Sequence, residues 1–141
     1  MKGTDEKYFK AAAEEIPAML SCIEGWAGEV LSPKQLVRLL LAAEEACSNI
    51  VLYAYEPEAD ERYLILACKV YNDSFSLKMI DGGRPFDPFN GDFRNVTTKL
   101  DTMKPGGFGR IFMKKFVDCA TYRREQEQNV LRLTVKRTPA L

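Results

Sequence analysis

The chain contains no histidine, and its four cysteines stand alone at Cys22, Cys47, Cys68 and Cys119, with no C-x-x-C pair among them. Those absences remove the usual donors of a zinc site. Each cysteine falls in an apolar stretch, so buried, reduced thiols are expected, as suits a reducing cytosol. An excess of one charge is also missing: twenty Lys and Arg balance twenty Asp and Glu. No bulk field therefore draws the protein toward nucleic acid or a membrane surface. No apolar run approaches the roughly 20 residues that span a bilayer, and no signal-peptide pattern precedes the first expected helix. A cytoplasmic protein is the expectation. Internal repeats and low-complexity segments are absent. Two nucleotide signatures are missing as well. No G-K-[ST] marks a Walker A loop, and the glycine-rich run at 106–109 lacks the third glycine of a dinucleotide fingerprint.

What is there is a chain of 141 residues. At that length a single domain over 1–141 is expected, burying roughly 68% of its extended surface without disulfide staples. The spacing of Phe9, Ala13, Ile16, Leu20, Ile23 and Ala27 predicts a helix over 5–31, with Asp5 as its cap and a kink or break at Pro17. Ser32 and Pro33 open a second helix that runs to about Tyr55, with Leu36, Leu40, Ala43, Cys47, Ile50 and Ala54 as its core stripe. Residues 62–71 read as a strand and Asn72-Asp73 as a turn. The alternation of Phe75, Leu77 and Met79 gives a second strand, antiparallel to the first. Residues 82–106 have no clear period, and a loop that long inside a compact domain is usually functional or mobile. A helix at about 108–117 and a hairpin of 118–124 with 129–136 close the chain. The fold class expected is α+β: a two-layer α/β sandwich, with helices on one face of a mixed, largely antiparallel sheet.

Three short segments carry chemistry. Glu45 and Asn49 lie four residues apart on one helix face, with Arg38, and on a helical wheel that face is opposite the core stripe. A solvated face accounts for the pair. Leu41 and Leu52 on the same side point instead to a pocket wall or second buried surface, where a carboxylate's pKa rises toward general-base range. The Asn49 amide oxygen is a hard ligand suited to Mg²⁺. Asp81 ends a strand and precedes Gly82 and Gly83. It is either a plain turn residue or an acceptor for an exocyclic amine, with the glycines admitting a flat ring. Phe86 packs either beneath that loop or into the core. Gly106, Gly107 and Gly109 enter a helix whose free N–H groups and dipole favour phosphate, and Lys104 and Arg110 flank them with positive charge. The same glycines also fit a flexible connector.

In order and spacing, these segments resemble the boxes of the histidine-kinase-like (GHKL) ATPase superfamily, and most closely the anti-sigma-factor serine kinases. Glu45, Ala46, Asn49, Ala54 and Tyr55 match the first box. Asp81, Gly83, Phe86 and Asp87 match the second, and Gly106, Gly107, Gly109 and Asp118 the third. The likeness spans roughly residues 33–137. The resemblance implies the Bergerat ATP-binding fold, with ATP and Mg²⁺ as cofactors and a lid at about 87–105. It implies that Asn49 holds Mg²⁺, that Asp81 reads adenine beside Gly83, and that Gly106, Gly107, Phe108 and Gly109, with Lys104 and Arg110, contact phosphates. Glu45 would be the catalytic base, taking the proton from a serine hydroxyl. The partners implied are a sigma factor and a STAS-domain antagonist that bears the serine, with a homodimer as the assembly. A nucleotide-gated binding switch that transfers no phosphate stays open beside this reading, as does a structural domain with coincidental glycines.

Overall fold

A computed structural model describes residues 4–89 and 113–138. Among these residues are five strands: β1 (Thr4–Lys10), β2 (Tyr63–Val70), β3 (Ser74–Asp81), β4 (Cys119–Glu125) and β5 (Gln128–Lys136). They form one sheet in the order β1-β2-β3-β5-β4, every neighbour antiparallel. Two helices, α1 (Ile16–Ala27) and α2 (Pro33–Asn49), fill the connection between β1 and β2. The expected α+β sandwich is therefore present, and all pairings among the described residues are antiparallel.

The strict alternation in β3 and β5 sets which face is buried. Phe75, Leu77 and Met79 share one side of the sheet with Leu131, Leu133 and Val135, because the register pairs Phe75 with Val135, Leu77 with Leu133 and Met79 with Leu131. All six are buried in one core with Leu64 and Leu66 of β2, Met19 and Ile23 of α1, and Leu39 and Cys47 of α2. Each such side chain contributes about 1.5–3 kcal/mol by leaving water.

α2 starts as its sequence dictates. The Ser32 hydroxyl accepts from the Gln35 amide at 3.2 Å, the Gln35 side chain accepts from the Ser32 amide at 3.0 Å, and Pro33 occupies the first turn. Past Asn49 the helix loosens into a π-helical segment, Ile50–Ala54, a form that recurs at functional sites. The β4–β5 hairpin turns on Gln126 (φ 50°) and Glu127 (φ 62°), a left-handed pair without the usual Asn-Gly.

Four expectations need correction. Residues 4–10 are a strand, with Asp5 opposite Cys68 of β2 rather than capping a helix. As an edge strand it buries only Phe9, so it lacks the alternation that betrays a strand, and its exposed charges read equally well as a helix surface. Pro17 then sits in the first turn of α1, where a missing N–H costs nothing, directly after a 3-10 turn at Ala13–Glu15. The α2 core stripe is widened and partly rotated: Ala43, Cys47, Ile50 and Ala54 are buried as expected, Leu36 and Leu40 only pack against the edge, and Leu39, Ala42 and Ala46 are buried besides. Asn49 is therefore buried rather than opposite the core. Of the cysteines, all free, Cys47 and Cys68 are buried, Cys22 is half-buried, and Cys119 is exposed on edge strand β4. The helix expected at 108–117 is described only over 113–116, where it is helical.

Candidate functional site

The α2 rotation turns one flank of the helix toward the end of β3. Small Ala46 leaves room there, and Asn49 and Ile50 follow on the same flank. Together with Asp81, Phe86, Pro88, Met113, Tyr122, Asn129 and Leu131 they line a narrow cleft between the helix layer and the sheet. Asn49 and Asp81, from different boxes of the sequence, thus meet in one place. Phe86 belongs to the cleft wall, its ring centroid 6.4 Å from that of Tyr53. Met113, fully buried, brings the helix that follows the glycine run into the same wall. Lys104, Gly106, Gly107, Phe108, Gly109 and Arg110 lie outside the described residues, as does the expected lid beyond residue 89.

Asn49 is 3% exposed, and among the described residues neither its carboxamide oxygen nor its nitrogen has a hydrogen-bond partner. Buried amides are nearly always bonded, so an orphaned one facing a cleft calls for a ligand. One turn earlier, Glu45 is half-buried, and its Oε2 is likewise buried and without a partner among the described residues. Burial, and then the neighbouring Glu44 charge, push the Glu45 pKa above its ordinary 4.5. Leu41 and Leu52, 47% and 62% exposed, flank it in the sequence of the same helical run.

Asp81 is 2% exposed. Both hydrogen bonds it receives from described residues end on Oδ1: one from the Gly83 amide at 2.8 Å, one from Asn129 Nδ2 at 2.9 Å. Oδ2 keeps its lone pairs for an incoming donor. Burial raises the Asp81 pKa above 3.8, while the Asn129 amide, the Gly83 N–H and Arg124 oppose the rise. The two glycines after Asp81 serve the protein's own packing. A Cβ on Gly83 would sit 2.3 Å from the Ala54 carbonyl oxygen, and one on Gly82 2.5 Å from the Tyr63 hydroxyl. Gly83 permits close backbone approach to the π-helical segment, and the Arg84 amide bonds the same Ala54 carbonyl at 2.9 Å.

Tyr55 ties this corner to the sheet. Its hydroxyl donates to the Tyr63 carbonyl at 2.6 Å and accepts from the Tyr63 and Gly82 amides at 3.0 and 2.9 Å. Asp87, the last residue of the second box, accepts from the Phe89 amide at 2.8 Å and turns the chain toward the segment that follows.

Asn129, Tyr122 and Arg124 were not singled out from the sequence. A polar residue next to a hairpin turn reads as turn chemistry, and only the pairing of Asp81 with Asn129 across β3 and β5 places it in the site. The signal available was that register: counting back from the alternating Leu131, Leu133 and Val135 puts position 129 on the buried face.

Comparison with known proteins agrees with this geometry. Residues 9–135 match the histidine kinase-like ATPase domain. A serine/threonine-protein kinase, BtrW of Bordetella bronchiseptica, is 32% identical over 101 residues, covering 72% of this chain and 70% of that protein. Among the described residues no helix is long and apolar enough to cross a membrane. With its paired layers, its acidic strand end and its orphaned helix amide, the chain belongs to the histidine kinase-like ATPase domain family.

Proposed function

We propose that this protein is an ATP-dependent serine kinase that acts as an anti-sigma regulatory factor and phosphorylates a STAS-domain antagonist. The observation that carries the reading is the Asn49 carboxamide, buried in the cleft beside Asp81 with both polar atoms unbonded among the described residues. The kinase name of the Bordetella relative supports the choice of activity. Asp81 Oδ2 accepts the adenine amine while its Oδ1 stays fixed by Gly83 and Asn129.

The donor set near Asn49 fits Mg²⁺. Among the described residues no three His, Cys, Asp or Glu cluster as metal ligands, and Mg²⁺ characteristically takes one or two protein oxygens and completes its shell with phosphates and water. Asn49 would hold it, and the ion would neutralise phosphate charge. By the family resemblance, Gly106, Gly107, Phe108 and Gly109, with Lys104 and Arg110, would complete the phosphate contacts, and the segment at about 87–105 would be the lid.

Transfer then needs positioning and one base. The serine oxygen attacks the γ-phosphorus, the bond to the ADP oxygen breaks, and Glu45 takes the hydroxyl proton. Its raised pKa suits that task. A protein substrate finds apolar footing on exposed Leu41 and Leu52 beside it. The functional unit is a single domain in a cytoplasmic homodimer, with a sigma factor as the sequestered partner and no contact to nucleic acid.

The test is calorimetric titration with ATP–Mg²⁺, followed by phosphotransfer to a serine-bearing STAS antagonist. Glu45→Gln is expected to keep ATP affinity and lose transfer. Undiminished transfer in that variant removes Glu45 as the base. ATP binding without any transfer by the unaltered protein marks a nucleotide-gated switch instead.

A further inference from the structure

Asn129 faces the cleft, yet its hydrogen-bonding capacity is spent. Nδ2 donates to Asp81 Oδ1 at 2.9 Å and to the Arg84 carbonyl at 2.8 Å. Oδ1 accepts from the Tyr122 hydroxyl at 2.6 Å, from Arg124 Nη1 at 3.1 Å and from the Phe86 amide at 3.3 Å. Two acceptors on one side and three donors on the other leave a single orientation for the amide. Arg124 Nη1 also donates to the Gly83 carbonyl at 2.8 Å, and the Phe86 amide donates to the Tyr122 hydroxyl at 3.3 Å. Residues 81–86 are therefore pinned along their length from the β4–β5 hairpin.

We infer that Asn129, Tyr122 and Arg124 form a mount that determines base specificity without touching the base. The mount acts through Asp81. A carboxylate on a strand end can rotate, and a rotated carboxylate accepts a bond from solvent as readily as from an adenine amine. Fixing Oδ1 with two donors leaves Oδ2 in one place, and a preorganised acceptor discriminates where a mobile one does not. Tyr122 holds the amide of Asn129 in register, and Arg124 holds both that amide and the backbone of Gly83. Asn129 is on this account a positioning residue, and so are its two partners. The inference rests on Asp81 as the adenine reader and adds what makes the reading selective.

The experiment compares ATP with purine riboside triphosphate, which lacks only the exocyclic amine, by calorimetric titration of the full chain. The unaltered protein is expected to prefer ATP about ten- to hundredfold, the range for a hydrogen bond to a charged acceptor. Asn129→Leu keeps the branched shape and removes every side-chain hydrogen bond, and is expected to bring the two affinities within about threefold. Tyr122→Phe keeps the ring and removes one hydroxyl, and is expected to reduce the preference at least threefold; it decides the matter should the Leu variant fail to fold. A purely structural role predicts otherwise: both nucleotides weaken equally and the preference is retained, which would overturn the mount. An unaltered protein that binds both nucleotides equally overturns Asp81 as reader, and one that binds neither overturns the ATP site itself. The inference falls in either case, by a result distinct from failure of the mount alone.

Discussion

Replacing Tyr55 by Phe removes one oxygen and three hydrogen bonds. The hydroxyl donates to the Tyr63 carbonyl and accepts from the Tyr63 and Gly82 amides, all at 2.6–3.0 Å. It joins the end of the π-helical segment to the first residue of β2 and to the residue just after β3. The ring is 8% exposed, so Phe fills the same space and the loss is polar alone. Each buried group left unpaired costs about 1–3 kcal/mol; with water reaching part of this corner, the sum is about 2–4 kcal/mol. For a chain of this size that lowers Tm on the order of 10 °C. Urea unfolding gives the free energy, and hydrogen exchange gives its location. The Tyr63 and Gly82 amides should exchange at least tenfold faster, with Leu133 in the sheet centre following only the global loss. ATP affinity should fall too, since Gly82 adjoins Asp81. A destabilisation below about 0.5 kcal/mol, or exchange that rises evenly across the sheet, would refute the latch.

Two further outcomes follow from the same corner. Gly83→Ala drives a methyl to within 2.3 Å of the Ala54 carbonyl that the Arg84 amide also bonds. Overpacking of that kind costs about 1–3 kcal/mol, and an unchanged urea midpoint would contradict it. Acid should weaken ATP binding early. Burial holds the folded Asp81 pKa above 3.8, so its stability contribution is present below 3.8 and is lost as pH rises through the folded value. Binding runs the other way, because only the ionised carboxylate accepts the amine freely. Affinity for ATP should therefore fall as pH drops through that raised value, while purine riboside triphosphate, which shares the phosphate titration, changes less. Parallel curves for the two nucleotides would remove Asp81 from the binding equilibrium.

How far the sequence revealed this protein depended on where each residue sits. β2, β3 and β5 are the central strands; the apolar run of β2 and the alternation in β3 and β5 mark them, and their boundaries fell within a residue or two of the expected ones. β1 is an edge strand with a single buried side chain, and no period of two survives such exposure. Its Phe9 reaches the same core as α1, and that shared destination lets it pass for part of a helix. Asp81 before two glycines reads by itself as a turn, and only its order and spacing with the other two segments singled it out. Asn129, Tyr122 and Arg124 were not readable, because their meaning lies in pairing across strands 48 residues apart, as between Asp81 and Asn129. The buried setting of Asn49 escaped as well: Ala42 and Ala46 are small enough to extend the buried face around the helix, and a wheel weighted toward Leu overlooks them.

The most direct measurement is calorimetric titration of ATP–Mg²⁺ into the Asp81→Asn protein alongside the unaltered chain. An asparagine carbonyl can accept both bonds that now end on Asp81 Oδ1, so the fold and its Tm are expected to survive. Its amide would confront the adenine amine donor to donor, and affinity is expected to drop about a hundredfold or more. A folded variant that binds ATP as tightly as the unaltered protein would contradict the placing of adenine at the end of β3.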